Sequence, residues 1–446
     1  MTSVFLDEVC DSLKKSETVL ELAASLLRFC SSNKDILAST LKRSEKRDIL
    51  RAQIVAAEDR IKNLPPFVPL AVRQSFIDEL REASDPTLIA RALVVAIDEY
   101  ASEMLRSDAL VDASDSSSGI PDVLVHPRNA IKKLYPSGVK LTTSFANTPN
   151  SYEVDRTSSL TLTTPPPSGL DVEIDRISGQ YLDAAMRNFD VGAPLFGALV
   201  PAQTMSDFEF PRLSDGYFGV KPRDEELQND IIIELLQSAK NYQVSICAAP
   251  ELACFDSTLD RVLKINSDDI PSIVYLGSVH KFCDSKKVNR AYLIYPEYRR
   301  HLYHDKVSFF TERDGQDRIQ EAIDLGDSIR FHWGRDWSMV VLTCADFLDP
   351  TVRKVLIELR PSFIVVGAMS KKTESFEAHA GEFAAACQSH VLIVNGPRGW
   401  GEDVISSRPV TQINMVEADQ VVVGRCDEDQ HAVGIIGTSS EVVWRS

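Results

Sequence analysis

Met339-Val-Val-Leu-Thr-Cys-Ala-Asp346 is an apolar run that stops at a thiol. Continuous Met, Val and Leu suit a strand buried on both faces, and Cys-Ala-Asp falls where such a strand would meet a loop. The same pattern recurs on either side. Val244-Ser-Ile-Cys-Ala-Ala-Pro-Glu251 is a second apolar run, closed by Pro-Glu. Leu195 to Gln203, Ile273 to His280, Arg290 to Tyr295, Phe363 to Ala368 and His390 to Asn395 also read as strands. Between them lie helical stretches. Asp224 to Tyr242 carries Leu227, Ile231, Leu235 and Ala239 at a spacing of four, which makes one helical face. Thr351 to Arg360 and Ala378 to Ser389 read as further helices. Strands interleaved with helices predict an α/β fold in which sheets are covered by helices.

Composition narrows the function classes. The chain has 446 residues, enough for two domains with proper cores. It holds 65 Asp plus Glu against 48 Lys plus Arg, a net charge of −17. Such a chain repels phosphate backbones, which argues against direct nucleic-acid contact. No stretch approaches the ~20 apolar residues of a membrane span. The acidic start, Met1-Thr-Ser-Val-Phe-Leu-Asp-Glu8, does not suit a secretory signal peptide. The eight cysteines are scattered without repeated Cys-x-x-Cys pairs. Reduced thiols in a cytoplasmic protein are the expectation, with no structural metal and no cofactor.

The chain divides by character into three stretches. Residues 1–107 read as a helical domain. Leu50, Ile54, Ala57 and Ile61 share one face, as do Ile89, Leu93, Ile97, Tyr100 and Met104. Asp85-Pro86 supplies an N-cap and a proline at the first helical position. Residues 108–191 read as linker, with the run Asp112 to Gly119 and the Ser/Thr/Pro-rich stretch Thr157 to Gly169. Leu160-Thr-Leu-Thr163 alternates like one exposed strand. Residues 192–446 form the α/β domain.

Three candidates for chemistry stand at strand ends or beside them. Glu251 closes one run, Cys344 another, and Lys306 sits in His301-Leu-Tyr-His-Asp-Lys306. A carboxylate base, a cation for an oxyanion and a thiol nucleophile are what amide or nitrile hydrolysis through an acyl-enzyme needs. Each has a plainer reading. A Cys after a buried strand is most often packing, and a Lys between Asp305 and Val307 is most often a solvated charge. Cys247 and Cys254 read as packing residues, and Asn395 as a strand-end residue. His301 and His304 lack convincing metal-ligand partners.

Taken in order, these segments resemble the nitrilase, or carbon-nitrogen hydrolase, superfamily over residues 192–446. The matching features are a first strand ending in Gln203, Pro250-Glu251, Lys306 with the following Glu312, Leu325-Gly-Asp327, Cys344-Ala-Asp346, and a helix–strand unit from Ala384 to Asn395. The resemblance implies a nitrilase-like αββα sandwich preceded by an N-terminal helical domain. It implies catalytic roles for Cys344 as nucleophile, Glu251 as general base and Lys306 as oxyanion stabiliser, aided by the backbone N–H of Ala345. Glu312 would be the second carboxylate, orienting Lys306 or holding substrate. The small Ala345, where the family carries a bulkier group, leaves that wall of the pocket more open.

The resemblance implies an amidase-type hydrolase acting on a small-molecule amide more readily than a nitrile, and a homo-oligomer. It leaves a second reading open: an accessory or sensing module of a larger assembly, such as one in bacterial antiphage defence, with the N-terminal helices docking a protein partner. An acyltransferase using an acceptor other than water is a third.

Overall fold

Apolar runs closed by polar residues fold here into strands enclosed on both faces. The computed structural model describes residues 2–65, 67–100, 123–125, 160–162, 170–186, 195–201, 204–214, 217–283, 286–314, 317–387, 389–398, 401–407, 421–426, 431–436 and 442–445. The chain separates into two compact units. One spans 1–128 and 140–165, the other 129–139 and 166–446.

The first unit is helical, with six helices over its described residues: α1 (Thr2–Lys15), α2 (Val19–Ser32), α3 (Lys34–Leu41), α4 (Ser44–Lys62), α5 (Leu70–Glu82) and α6 (Pro86–Tyr100). The expected stripe on α4 is the packed one: Leu50, Ala57 and Ile61 are buried, with Ile54 against them. Leu93 and Ile97 of α6 are buried too; Met104 lies outside the described residues. Asp85 Oδ1 accepts from Leu88 N at 3.4 Å, next to Pro86 at the first helical position. At the start of α2, Thr18 and Glu21 form a reciprocal cap, each side chain accepting from the other's backbone N–H. A short antiparallel pair, β1 (Val123–Val125) and β2 (Leu160–Leu162), belongs to the same unit. The strand read at Leu160 is therefore present, and Leu160 itself is not exposed. Leu160 is buried in the helical core, and its N–H donates to Asp98 Oδ1 at 3.0 Å. The run Asp112 to Gly119 lies outside the described residues.

The second unit begins earlier than expected. Strand β3 (Asp171–Asp175) and helix α7 (Arg176–Ala185) fall within the stretch read as linker. Yet β3 pairs in parallel with β15 (Ser328–Trp333) as an edge of the main architecture. Five-residue β3 alternates polar and apolar residues, as a partly covered edge strand does.

That architecture is two seven-stranded sheets. The first sheet runs β12 (Arg300–Asp305), β11 (Lys286–Tyr295), β10 (Ile273–Cys283), β9 (Ile246–Ala248), β4 (Phe196–Val200), β21 (Ala432–Ile436), β22 (Val443–Arg445). The second runs β20 (Val421–Gly424), β19 (Val404–Ser407), β18 (His390–Asn395), β17 (Phe363–Ala368), β16 (Ser338–Thr343), β15, β3. Period-two alternation explains the layering. Phe196, Ile246, Tyr275 and Leu293 face Met339, Val341, Phe363 and Leu392 in one core between the sheets. Leu199, Cys247, Val274 and Ile294 point the other way, under helix α8 (Glu225–Asn241) and α9 (Asp256–Val262). On the far side of the second sheet lie α10 (Ala345–Leu348), α11 (Pro350–Leu359) and α12 (Glu374–Cys387), where Phe347 stacks on Phe376 with ring centroids 6.1 Å apart. Helix, sheet, sheet, helix is the expected αββα sandwich.

Helix α8 differs in one respect. Leu227, read as part of the buried face, is 57% exposed, while Gln228, Ile232, Leu235, Leu236 and Ala239 are buried. The face is turned by one residue because polar side chains find partners inside. Gln228 Nε2 donates to Ala253 O at 2.5 Å, and Asn229 Nδ2 to Ser257 Oγ at 2.9 Å. Two small pieces complete the unit: the pair β5 (Phe208–Glu209) and β8 (Lys221–Pro222), and a four-stranded sheet of β13 (Thr311–Asp314), β14 (Asp317–Glu321), β7 (Tyr217–Phe218) and β6 (Arg212–Ser214).

Candidate active site

Strand β17 ends in Gly367-Ala368, and that end fixes both the thiol and the first carboxylate. Gly367 O accepts from Cys344 N at 2.8 Å, and Ala368 O accepts from Glu251 N at 3.3 Å. A side chain at Gly367 has no room. Its Cβ would fall 2.8 Å from the Tyr275 ring, 2.9 Å from Ala249 O and 3.2 Å from Glu251 N. The strand can therefore press directly on the Pro250–Glu251 turn. Two backbone conformations of high energy stand beside it. Cys344 adopts φ 47°, ψ −105°, and Leu252, next to Glu251, adopts φ 60°. Both are unusual for residues with a Cβ and cluster where strain can hold a side chain in place. Ser278 Oγ, fully buried, accepts from Leu252 N at 3.1 Å and secures that turn.

Lys306 follows β12 and continues its ladder, its N–H donating to Asn289 O at 2.9 Å. Its ammonium is buried and donates to Glu251 Oε1 and to Glu321 Oε2, each at 2.7 Å. Asn289 Nδ2 bridges the same two carboxylates, 2.9 Å from Glu251 Oε1 and 2.8 Å from Glu321 Oε1. Glu251 and Lys306 both act electrostatically on the Cys344 thiol, whose Sγ is 4.0 Å from Met369 O. Cys344 is only 3% exposed.

The structure thus brings together Glu251, Lys306 and Cys344, and sets Ala345 directly after the thiol as the first residue of α10. The second carboxylate on Lys306 is Glu321. Glu312, expected in that place, lies on β13, and its side chain lies outside the described residues. The physical reason is a hairpin. β13 and β14 carry the chain out and back, so that Glu321 N donates to Phe310 O at 3.0 Å. A residue well beyond Lys306 in sequence returns to its side. The dipeptide Asp314-Gly315 is a hairpin signal that could have revealed this.

The charges settle unequally. Burial pushes the Glu251 carboxyl above its ordinary value; Lys306 opposes this, and the charge of Glu321 adds to it. Burial acts on Glu321 as well, but Lys306 and His280 outweigh it and hold that carboxyl below the usual range. Burial alone would lower the Lys306 ammonium, yet its two carboxylate neighbours keep it well above its ordinary value. The Cys344 thiol is pushed up by burial and by the charge of Glu251, so it rests protonated beside a base. One buried cation between two carboxylates makes Glu251 the member that can take a proton.

A second buried group ties the thiol to the ammonium. Asp346 Oδ1 accepts from Val307 N at 3.0 Å and Ser308 N at 2.8 Å, directly after Lys306. Its Oδ2 accepts from Thr343 N at 3.2 Å and lies 2.8 Å from His304 Nε2. His304 therefore serves this brace. Among the described residues no group of three or more His, Cys, Asp or Glu is arranged to hold a metal ion. Asn395 closes its strand end, donating to Ser370 O at 2.8 Å and accepting from Ser370 N at 2.8 Å. Cys247 and Cys254 are buried in packing positions.

Solved structures offer a likeness to part of the chain. The chain is similar to amidases of the nitrilase superfamily. An amidase from Neterenkonia sp. AN1 is 14% identical, with a TM-score of 0.38 over 56% of this chain and 91% of that one. A mutant of the Nesterenkonia sp. AN1 amidase, with the acetamide moiety of fluoroacetamide on its active-site cysteine, is 13% identical, with a TM-score of 0.38 over 56% and 88%. A CN-hydrolase superfamily protein from Xanthomonas campestris, with an arsenic adduct in its active site, is 16% identical, with a TM-score of 0.36 over 55% and 91%. No protein-family model matches the sequence. No curated protein matches it either. No helix among the described residues is long and apolar enough to cross a membrane.

Proposed function

We propose that this protein hydrolyses the C–N bond of a small, non-peptide amide through a thioester on Cys344. One observation carries the reading: a buried thiol acted on by both Glu251 and Lys306, with the Glu251 carboxylate held 2.7 Å from the Lys306 ammonium. Glu251 takes the thiol proton as sulfur attacks the carbonyl carbon. The carbonyl oxygen becomes an oxyanion. An ammonium has three N–H donors, and Lys306 spends two on carboxylates, so the third serves that oxyanion together with the N–H of Ala345. Glu251 then gives its proton to the departing nitrogen as the C–N bond breaks. Water attacks the thioester, Glu251 takes its proton, and the thiolate leaves and recovers a proton from the same carboxyl. Glu321 stays charged throughout and keeps Lys306 in place.

Intact-mass analysis after iodoacetamide treatment near neutral pH tests the proposal. Wild-type protein should take up one label quickly, Cys344→Ala should lose that label, and an amide screen should give turnover that Cys344→Ala abolishes. Labelling at Cys344 no faster than at the other cysteines would overturn it.

A further inference from the structure

Strand β10 changes face part-way along its length. Ile273 and Tyr275 point into the core between the sheets, while Val274 and Leu276 point under the helices. A bulge between Tyr275 and Ser278, with Gly277 at φ 77°, inserts a residue. Beyond it the parity inverts, and Val279 packs under the helices. Ser278 and His280 are thereby turned toward the site. Ser278 holds the turn after Glu251, as described above. His280, with a side chain 6% exposed, lies 2.8 Å by Nε2 from Glu321 Oε1.

The other ring nitrogen decides the proton's position. His280 Nδ1 accepts from Val220 N at 3.3 Å. A nitrogen that accepts an N–H presents a lone pair, so the ring proton is on Nε2 and points at Glu321. With that donor, Glu321 has four. Oε1 accepts from His280 and from Asn289, each at 2.8 Å. Oε2 accepts from Lys306 at 2.7 Å and from Phe310 N at 3.4 Å. A carboxylate offers about four lone-pair positions, and all are taken. Glu251 receives Asn289 and Lys306 both on Oε1.

We infer that His280 is a positioning residue: as a neutral imidazole with its proton on Nε2, it fixes Glu321 as the permanent anion beside Lys306 and leaves Glu251 as the carboxyl that takes and returns protons. This rests on the catalytic reading above. The charged and titratable groups facing Glu321 are His280 and Lys306 in hydrogen-bond contact, with Glu251 beyond Lys306 and Lys287 of β11 further out. Without the His280 donor, a lone-pair position on Glu321 opens. The two carboxylates then compete for one proton, and Lys306 loses its constant partner whenever Glu321 holds it.

The test has two arms. Long-range nitrogen–proton NMR of the full chain, with His280 assigned by its loss in His280→Gln, should show the Nε2–H tautomer at neutral pH. A protonated Nδ1, in either the other tautomer or an imidazolium, would overturn the inference. This arm does not depend on turnover. In the second arm, the rate of Cys344 alkylation is followed against pH. His280→Leu should slow it by about tenfold at the plateau and move its acidic limb. His280→Gln, whose side-chain N–H can replace Nε2–H, should remain within about threefold with the limb in place. A wild-type limb in His280→Leu would sink the inference. Should His280→Leu fail to fold, His280→Asn replaces it: its shorter amide reaches the Val220 side only, and it should behave as His280→Leu was expected to. Slow alkylation of wild-type Cys344 would instead sink the hydrolase reading, whatever the tautomer.

Discussion

Glu251 and Glu321 both stand 2.7 Å from the Lys306 ammonium, yet the chain delivers them by different routes. Glu251 arrives at the end of a core strand. Its turn is pinned by Ala368 O, by Ser278 Oγ and by the close approach of Gly367. Glu321 arrives on an outlying hairpin, β14 paired with β13 and with β7, and is secured by side chains that meet it there. The first carboxylate is placed by backbone packing, the second by hydrogen bonds to its oxygens. A group placed by packing can change charge without moving. A group placed by four donors stays where it is as long as it stays an anion. The division suits a cycle in which one carboxyl exchanges protons and the other does not.

Substitutions can break that comparison, beginning with the largest effect. Glu251→Gln removes the proton carrier and keeps the shape, so amide turnover should fall by roughly 10²–10⁴-fold. Glu321→Gln leaves the carrier but weakens the hold on Lys306, and about 10–100-fold is expected, with kcat affected more than KM. Equal losses would erase the distinction between the two carboxylates. Gly367→Ala should lower unfolding free energy by about 1–3 kcal/mol in denaturant titrations, because two of the clashing atoms are backbone. The acidic limb of wild-type Cys344 alkylation should lie above the usual carboxylate range. Burial raises the Glu251 carboxyl, and the base must be ionised to act, so the rate is lost as pH falls through that raised value. A limb near pH ~4 would mean Glu251 is not the base. The smallest effect sharpens the comparison most: Glu312→Gln should change turnover by less than about twofold, since Glu321 fills the place beside Lys306.

Much of this was legible in the chain. Runs such as Phe363 to Ala368 declared buried strands because both of their faces are covered, and the strand ends marked Glu251 and Cys344. What escaped is what depends on contacts distant in sequence. Glu321 needed the closure of a hairpin, where the family resemblance pointed to Glu312. Residues 171–185 resembled linker because an edge strand is short and partly polar, and only its pairing with β15 reveals it. The face of α8 turned because Gln228 and Asn229 found buried partners that no apolar periodicity encodes. His280 was read as a strand end; a bulge a few residues earlier decides which way it faces.

Asp346 has a consequence for how this site can tolerate change. One enclosed carboxylate takes backbone N–H groups from both the residue before Cys344 and the turn after Lys306. It acts as a shared datum: the sulfur and the ammonium are gauged against the same point, not against each other. Tyr217 and Phe309, 46% and 42% exposed, lie outside that reference frame. Exposed side chains such as these can change while the spacing of sulfur and ammonium keeps its calibration.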